Sequence, residues 1–192
     1  MSEIGSKVRM RRLLDDAHRF ELAIVGAIQR PCELGMLYRV ASVTNTLGNG
    51  WLYLLLVIVL LVVSSPNAYL AMATSALAVG ASHALYPWIK RRIARLRPYE
   101  KMPHLPAVAR AMDRYSFPSG HCMTSTAVGV PLAQAYPELT WIVVAGCLLI
   151  AWARMACAHH YPSDLVAGSA LGALMAYASI EVVSIGLLLQ PS

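Results

Sequence analysis

Long apolar runs separated by polar breaks recur through residues 51–189. They cover about 51–63, 68–88, 120–137, 139–156 and 164–189. With their flanks, each approaches the ~20 residues a helix needs to cross a bilayer. The Ser-Ser-Pro-Asn stretch at 64–67 punctuates the first pair as a turn. Basic residues from Lys90 to Arg97 close the second run, a polar loop leads to Pro118, and Pro131 is expected to bend the third helix. Upstream, residues 7–30 place Leu13, Leu14, Phe20, Leu22, Ile24, Val25 and Ile28 at roughly helical spacing among charges. Arg19, Glu21 and Arg30 argue against a span there. An interfacial amphipathic helix fits better, with a solvated helix capping the bundle as the plainer alternative. Pro31, Arg39, Gly48 and Gly50 mark residues 31–50 as a broken connection. The pattern therefore predicts an all-α integral membrane bundle of about five transmembrane helices, residues 47–192, preceded by an N-terminal interfacial segment, residues 1–46.

Composition agrees. With 57% hydrophobic and only 14% charged residues, the chain is too apolar for an ordinary soluble domain. The net charge of +6 suits an anionic lipid or an anionic substrate. Nucleic acid is excluded as a partner, because the basic residues lie between apolar segments without interleaved stacking aromatics. Cys32, Cys122, Cys147 and Cys157 have no paired metal-ligand spacing and read as small buried hydrophobes. No uninterrupted apolar core follows the charged N-terminus before Trp51, so no signal peptide is expected. In the last run, Gly168 and Gly172 form a GxxxG pattern, which suits close packing within the bundle better than a homodimer contact. Glu181, in the same run, is placed toward the far interface and given no role.

Three short patterns carry the chemistry. Lys90 and Arg97 are seven residues apart, which on one continuous helix puts both cations on one face, where arginine can grip phosphate oxygens bidentately. Arg91, Arg92 and Arg95 read as the positive flank of a span. Pro118-Ser119-Gly120-His121 opens the third run: unpaired amides at a helix start attract anions, Ser119 is a good N-cap, and Gly120 lets backbone approach an oxyanion. His121 can protonate a leaving oxygen. His160 and Asp164 are one helical turn apart, so the carboxylate can fix the imidazole tautomer and leave the other nitrogen free to attack phosphorus. Asp164 can equally cap the fifth helix. Arg154 ends the fourth run beside them, while His159 reads as structural. A metal site built from His121, His159, His160 and Asp164 is disfavoured, because Lys90, Arg97 and Arg154 would crowd a dication.

At these residues the chain resembles the type 2 phosphatidic acid phosphatase superfamily. Its first pattern, Lys, six residues, Arg-Pro, matches Lys90 to Pro98; its second matches Pro118 to His121 letter for letter. The third, Ser-Arg, five residues, His, three residues, Asp, reads Ala153-Arg154, His160, Asp164, with Ala153 the one departure. The resemblance spans about 50–189. It implies catalysis by His160, His121 and Asp164, phosphate binding by Lys90, Arg97, Ser119, Gly120 and Arg154, a phosphohistidine intermediate, and no metal or other cofactor. The implied substrate is a lipid phosphate or isoprenoid diphosphate, such as phosphatidylglycerol phosphate, phosphatidate or the undecaprenyl carrier, in a bacterial plasma membrane. Tyr99, Lys101 and His104 are candidate headgroup contacts.

Five spans put the N-terminus and all three patterns on one face, and Lys7, Arg9, Arg11 and Arg12 then favour a cytoplasmic site. Reading 20–43 as a sixth span would turn the site outward but bury Arg30, Glu33 and Arg39. A transporter predicts polar residues spread through several spans, whereas here they gather at one interface. A non-catalytic lipid-binding protein with a relic site predicts decay at His160, Asp164 or His121, all of which are intact. A phosphotransferase differs only in the acceptor.

Overall fold

The computed structural model describes residues 2–32, 35–102 and 113–188, whose regular structure is entirely helical. The helices are α1 (Ser2–Gln29), α2 (Met36–Thr46), α3 (Leu52–Val63), α4 (Pro66–Ile93), the short α5 (Pro98–Lys101), α6 (Gly120–Ala135), α7 (Thr140–Ala156) and α8 (Pro162–Leu188). Each apolar run of the sequence forms a helix. Among the described residues, four stretches are long and apolar enough to cross a membrane: Met36–Val63, Pro66–Lys101, Pro137–Ala156 and Pro162–Leu188. The remaining run forms α6, only 16 residues long, which packs among α4, α7 and α8.

Residues 31–50, expected to be a broken connection, are instead largely helical. α2 continues through a π turn, Leu47–Trp51, into α3, so the first span starts at Met36 rather than near Trp51. The break is local to Gly50, whose φ of 132° a side chain would disfavour. Further along, Ser65 caps α4 by accepting the Ala68 N–H at 3.2 Å, and Pro66 occupies the helix start where its missing N–H costs nothing.

The bundle is held by small residues. Ala78, Ala127 and Ala176, one each from α4, α6 and α8, meet in a buried cluster. A Cβ added to Gly168 would overlap the carbonyl oxygen of Ser119, and one on Gly172 that of Met123. The GxxxG face of α8 is thus filled within the bundle, by the backbone of α6 and its cap residue. Lipid tails are as apolar as leucine, so within a bilayer such close backbone approach supplies the packing energy that hydrophobic burial supplies in water. Conversely, Val62, Trp141, Ile142 and Leu148 are mostly exposed, as a lipid-facing surface requires.

The C-terminal half of α1 is packed against α7 and α8, with Val25 and Gln29 fully buried, while residues 6–17 are exposed. Cys32 and Cys157 join Ala41 and Ala156 in a buried apolar cluster, and all four cysteines are free thiols.

Candidate active site

The three sequence patterns converge at one end of the bundle around a cavity of about 300 Å³. Lys90, Arg97, Gly120, His121, Arg154 and His160 all line it. The route to this convergence differs from the sequence expectation in one respect. Lys90 and Arg97 do not share a helix face: α4 stops at Ile93, Ala94 takes a left-handed conformation (φ 49°), and Arg97 is extended ahead of Pro98. The helix ends in the left-handed cap at Ala94, three residues before the Arg-Pro pair, and proline then keeps the residue before it out of a helical conformation. The two cations meet instead by chain reversal.

They meet on Asp113. Lys90 Nζ donates to both carboxylate oxygens at 2.9 and 2.8 Å and to the Tyr115 carbonyl at 2.9 Å. Arg97 Nη2 donates to Asp113 Oδ1 at 2.5 Å, its Nε to the Asp113 carbonyl at 3.0 Å, and its Nη1 to the His159 carbonyl at 2.8 Å. Burial pushes the Asp113 carboxyl up, but Lys90 and Arg97 outweigh it and hold the group below its ordinary value.

His160 is buried in the turn between α7 and α8. Its Nε2 faces two guanidiniums, Arg97 Nη1 at 3.4 Å and Arg154 Nη2 at 3.5 Å. Those groups can only donate, so Nε2 is the unprotonated nitrogen and Nδ1 carries the hydrogen. Nδ1 points toward Asp164 Oδ2, 3.7 Å away. Burial, followed by the charges of Arg154, Arg97 and Lys90, lowers the His160 pKa well below the ordinary value, so the ring is neutral at pH 7.

Asp164 caps the helix, one of the two jobs the sequence allowed, and its carboxylate stands near His160 but beyond hydrogen-bond distance. In the first turn of α8, its Oδ2 accepts the Tyr161 N–H at 2.9 Å, reaching back as a cap, while the same oxygen faces His160. Its backbone carbonyl accepts the Ser119 N–H at 3.0 Å, tying the second pattern to the third. Ser119 is fully buried and caps α6 through the Cys122 N–H at 3.4 Å. His121 donates from Nε2 to Asn49 Oδ1 at 2.7 Å. Ala153 is fully buried.

Other expectations are corrected. Tyr99 packs edge-on against the His159 ring and Lys101 reaches His18 Nε2 at 3.1 Å, so neither lines the cavity; His104 lies outside the described residues. Arg95, read as a membrane flank, donates to Asp164 Oδ1 at 2.6 Å. Asp113, Asn45 (which accepts from Arg154 Nη1), Asn49 and Glu21 are partners of the site that none of the three patterns contains. Asn45 carried a signal, since a buried amide in an apolar helix needs a partner.

A PAP2 superfamily profile matches residues 68–185. The decaprenylphosphoryl-5-phosphoribose phosphatase of Mycolicibacterium smegmatis is 35% identical over 169 residues, covering 81% of this chain and 84% of that one. The undecaprenyl-diphosphatase of Sulfolobus acidocaldarius is 28% identical over 95 residues, 49% of this chain and 46% of that protein. In fold, the chain is similar to the crystal structure of a transmembrane PAP2-type phosphatidylglycerolphosphate phosphatase from Bacillus subtilis, with a TM-score of 0.68 at 20% identity, covering 88% of this chain and 87% of that one. The chain belongs to the PAP2 superfamily. It is by class an integral membrane lipid phosphatase.

Proposed function

We propose that the chain removes the terminal phosphate of a lipid phosphate or isoprenoid diphosphate by way of a phosphohistidine on His160, without a metal. The orientation of His160 carries this reading. Its free nitrogen points at the guanidiniums that would hold a phosphoryl group, and its protonated nitrogen points at a carboxylate. In the first step, His160 Nε2 attacks phosphorus, the bond to the leaving oxygen breaks, and His121 gives that oxygen its proton. Asp164 stabilises the positive charge that develops on the imidazole. In the second step, water attacks phosphorus, His121 takes the water proton, and the P–N bond breaks to return His160 and release phosphate. Lys90, Arg97, Arg154 and the Gly120 amide, all at the cavity, hold the equatorial oxygens through both steps, and Ser119, buried outside the cavity lining, caps the helix that presents that amide. Asp113 is the one carboxylate lining the cavity among the described residues, and it is already bound to two cations, a donor set poor for a dication.

Asp113 occupies the place between Lys90 and Arg97 that a phosphoryl dianion takes, so substrate entry exchanges one anion for another. The similarity to polyprenyl-linked phosphatases favours an isoprenoid substrate. We assign the interfacial segment to α1 rather than to residues 1–46, since α2 belongs to the first span. We place the site on the cytoplasmic face of a bacterial plasma membrane, because Lys7, Arg9, Arg11 and Arg12 lie on the helix that docks at the site end.

Phosphate release by detergent-purified protein in chelator, across a panel of lipid phosphates and diphosphates, tests the reading. Release by the wild type, lost in a folded His160→Ala variant, is expected. Full activity in that variant, or activity only with added divalent metal, overturns it.

A further inference from the structure

Outside the cavity, a second ionic cluster joins the N-terminal helix to the start of α8. Arg95 stands at its centre. One guanidinium nitrogen, Nη1, donates to Asp164 Oδ1 at 2.6 Å and to Ser163 Oγ at 2.8 Å. The other, Nη2, donates to Glu21 Oε2 at 2.6 Å. Glu21 closes the ring, accepting the Ser163 N–H on Oε1 at 2.9 Å. The guanidinium also lies 3.8 Å above the Tyr161 ring, which His18 of α1 flanks at 5.2 Å.

Charge accounts for this arrangement. The Asp164 side chain is fully buried, and a carboxylate in such a place stays ionised only with a partner. His160 Nδ1 at 3.7 Å is too far to be that partner, and the cavity cations serve Asp113 and His160. Arg95 supplies the positive charge and takes Oδ1, leaving Oδ2 for the Tyr161 amide and the imidazole. Glu21 is ionised in turn: burial pushes it up, but hydrogen bonds from Ser163 and Arg95 bring it below its ordinary value. With one oxygen on the guanidinium and the other on the Ser163 N–H, it ties Arg95 to the first turn of α8.

We propose that Glu21 and Arg95 form a latch through which α1 holds Asp164 ionised and aimed at His160, making both of them positioning residues for the nucleophile. This rests on the phosphohistidine reading above. Arg95 touches Asp164 on the side away from the cavity and does not line it, so its loss acts on the chemical step and not on phosphate binding. In the release assay, Arg95→Gln is expected to lower kcat about 10-fold or more with KM changed less than about two-fold, Arg95→Lys to recover most of that loss, and Glu21→Gln to cost about three-fold. A raised KM at unchanged kcat makes Arg95 a substrate ligand and overturns the latch, as does a lowered melting temperature with both kinetic constants unchanged. Melting of Glu21→Gln, Arg95→Gln and the double variant gives a second reading, independent of activity. A double variant no less stable than Arg95→Gln alone supports the latch; additive losses overturn it. Should the wild type release no phosphate, the proposed function fails and the melting cycle alone decides the latch.

Discussion

α6 is held by opposite means on two sides. On one, its N-terminus enters a cluster of ions, where the buried Lys90, Arg97, Arg154 and Asp164 and the half-buried Asp113 gather about His160. On the other, its body lies on α8 through bare backbone, with glycines and alanines replacing side chains. The packed seam is specified by what is missing, the Cβ atoms that would keep the helices apart. The ionic end is specified by pairing, and its anchors lie far apart in sequence: Glu21, Arg95 and Asp164 form one ring. Steric packing tolerates no addition, whereas an ion cluster tolerates no subtraction.

The sharpest break in that comparison is at the seam. Gly172→Val would drive a side chain into the Met123 carbonyl, and we expect a loss of about 3 kcal/mol or a failure to assemble, read by thermal melting in detergent. Gly186→Val, where nothing lies within 4 Å, should melt like the wild type; equal damage at both sites would deny the seam its role.

At the ionic end, Arg97→Lys should keep the charge but lose the fork that reaches Asp113 and the His159 carbonyl together. A fall in kcat/KM of about 100-fold is expected from steady-state kinetics, and a change under three-fold would reduce Arg97 to a point charge. Asp113→Asn should go the other way for binding. With the resident anion gone, inorganic phosphate should inhibit about 10-fold more tightly and raise the melting temperature more than in the wild type. Weaker inhibition would show that Asp113 organises the cations instead of competing for them.

The smallest effect concerns pH. His160 has a folded pKa below 6.5, so below pH 6.5 the unfolded chain binds a proton that the folded one refuses, and stability falls with acidification. The nucleophile itself stays neutral through pH 6.5, so the rate of phosphohistidine formation in a single turnover should hold there. A loss of that rate on acidification, centred at or above pH 6.5, would mean that burial does not tune this ring.

Much of this was legible before folding. The motif residues stood out because chemistry demands particular groups at particular spacings, and Asp164 could be read as both cap and partner from its place one turn after His160. Arg95 could not. It sits in a basic run beside a span, where positive charge is expected on topological grounds, and nothing local distinguishes it from Arg91 or Arg92. Residues 31–50 misled for a related reason: glycine and proline signalled a break, yet Gly50 kinks a continuing helix and does not end it.

The sequence by itself determined the class of protein. Apolar runs long enough for a bilayer fix membrane helices, because unpaired backbone cannot lie in lipid, and the three patterns fix phosphate chemistry, because few residue types can hold, attack and protonate. Only the tertiary structure decided which charges answer which. Asp113 lies 16 residues from Arg97 and Glu21 lies 74 from Arg95, separations at which spacing carries no signal and folded proximity alone selects the partner.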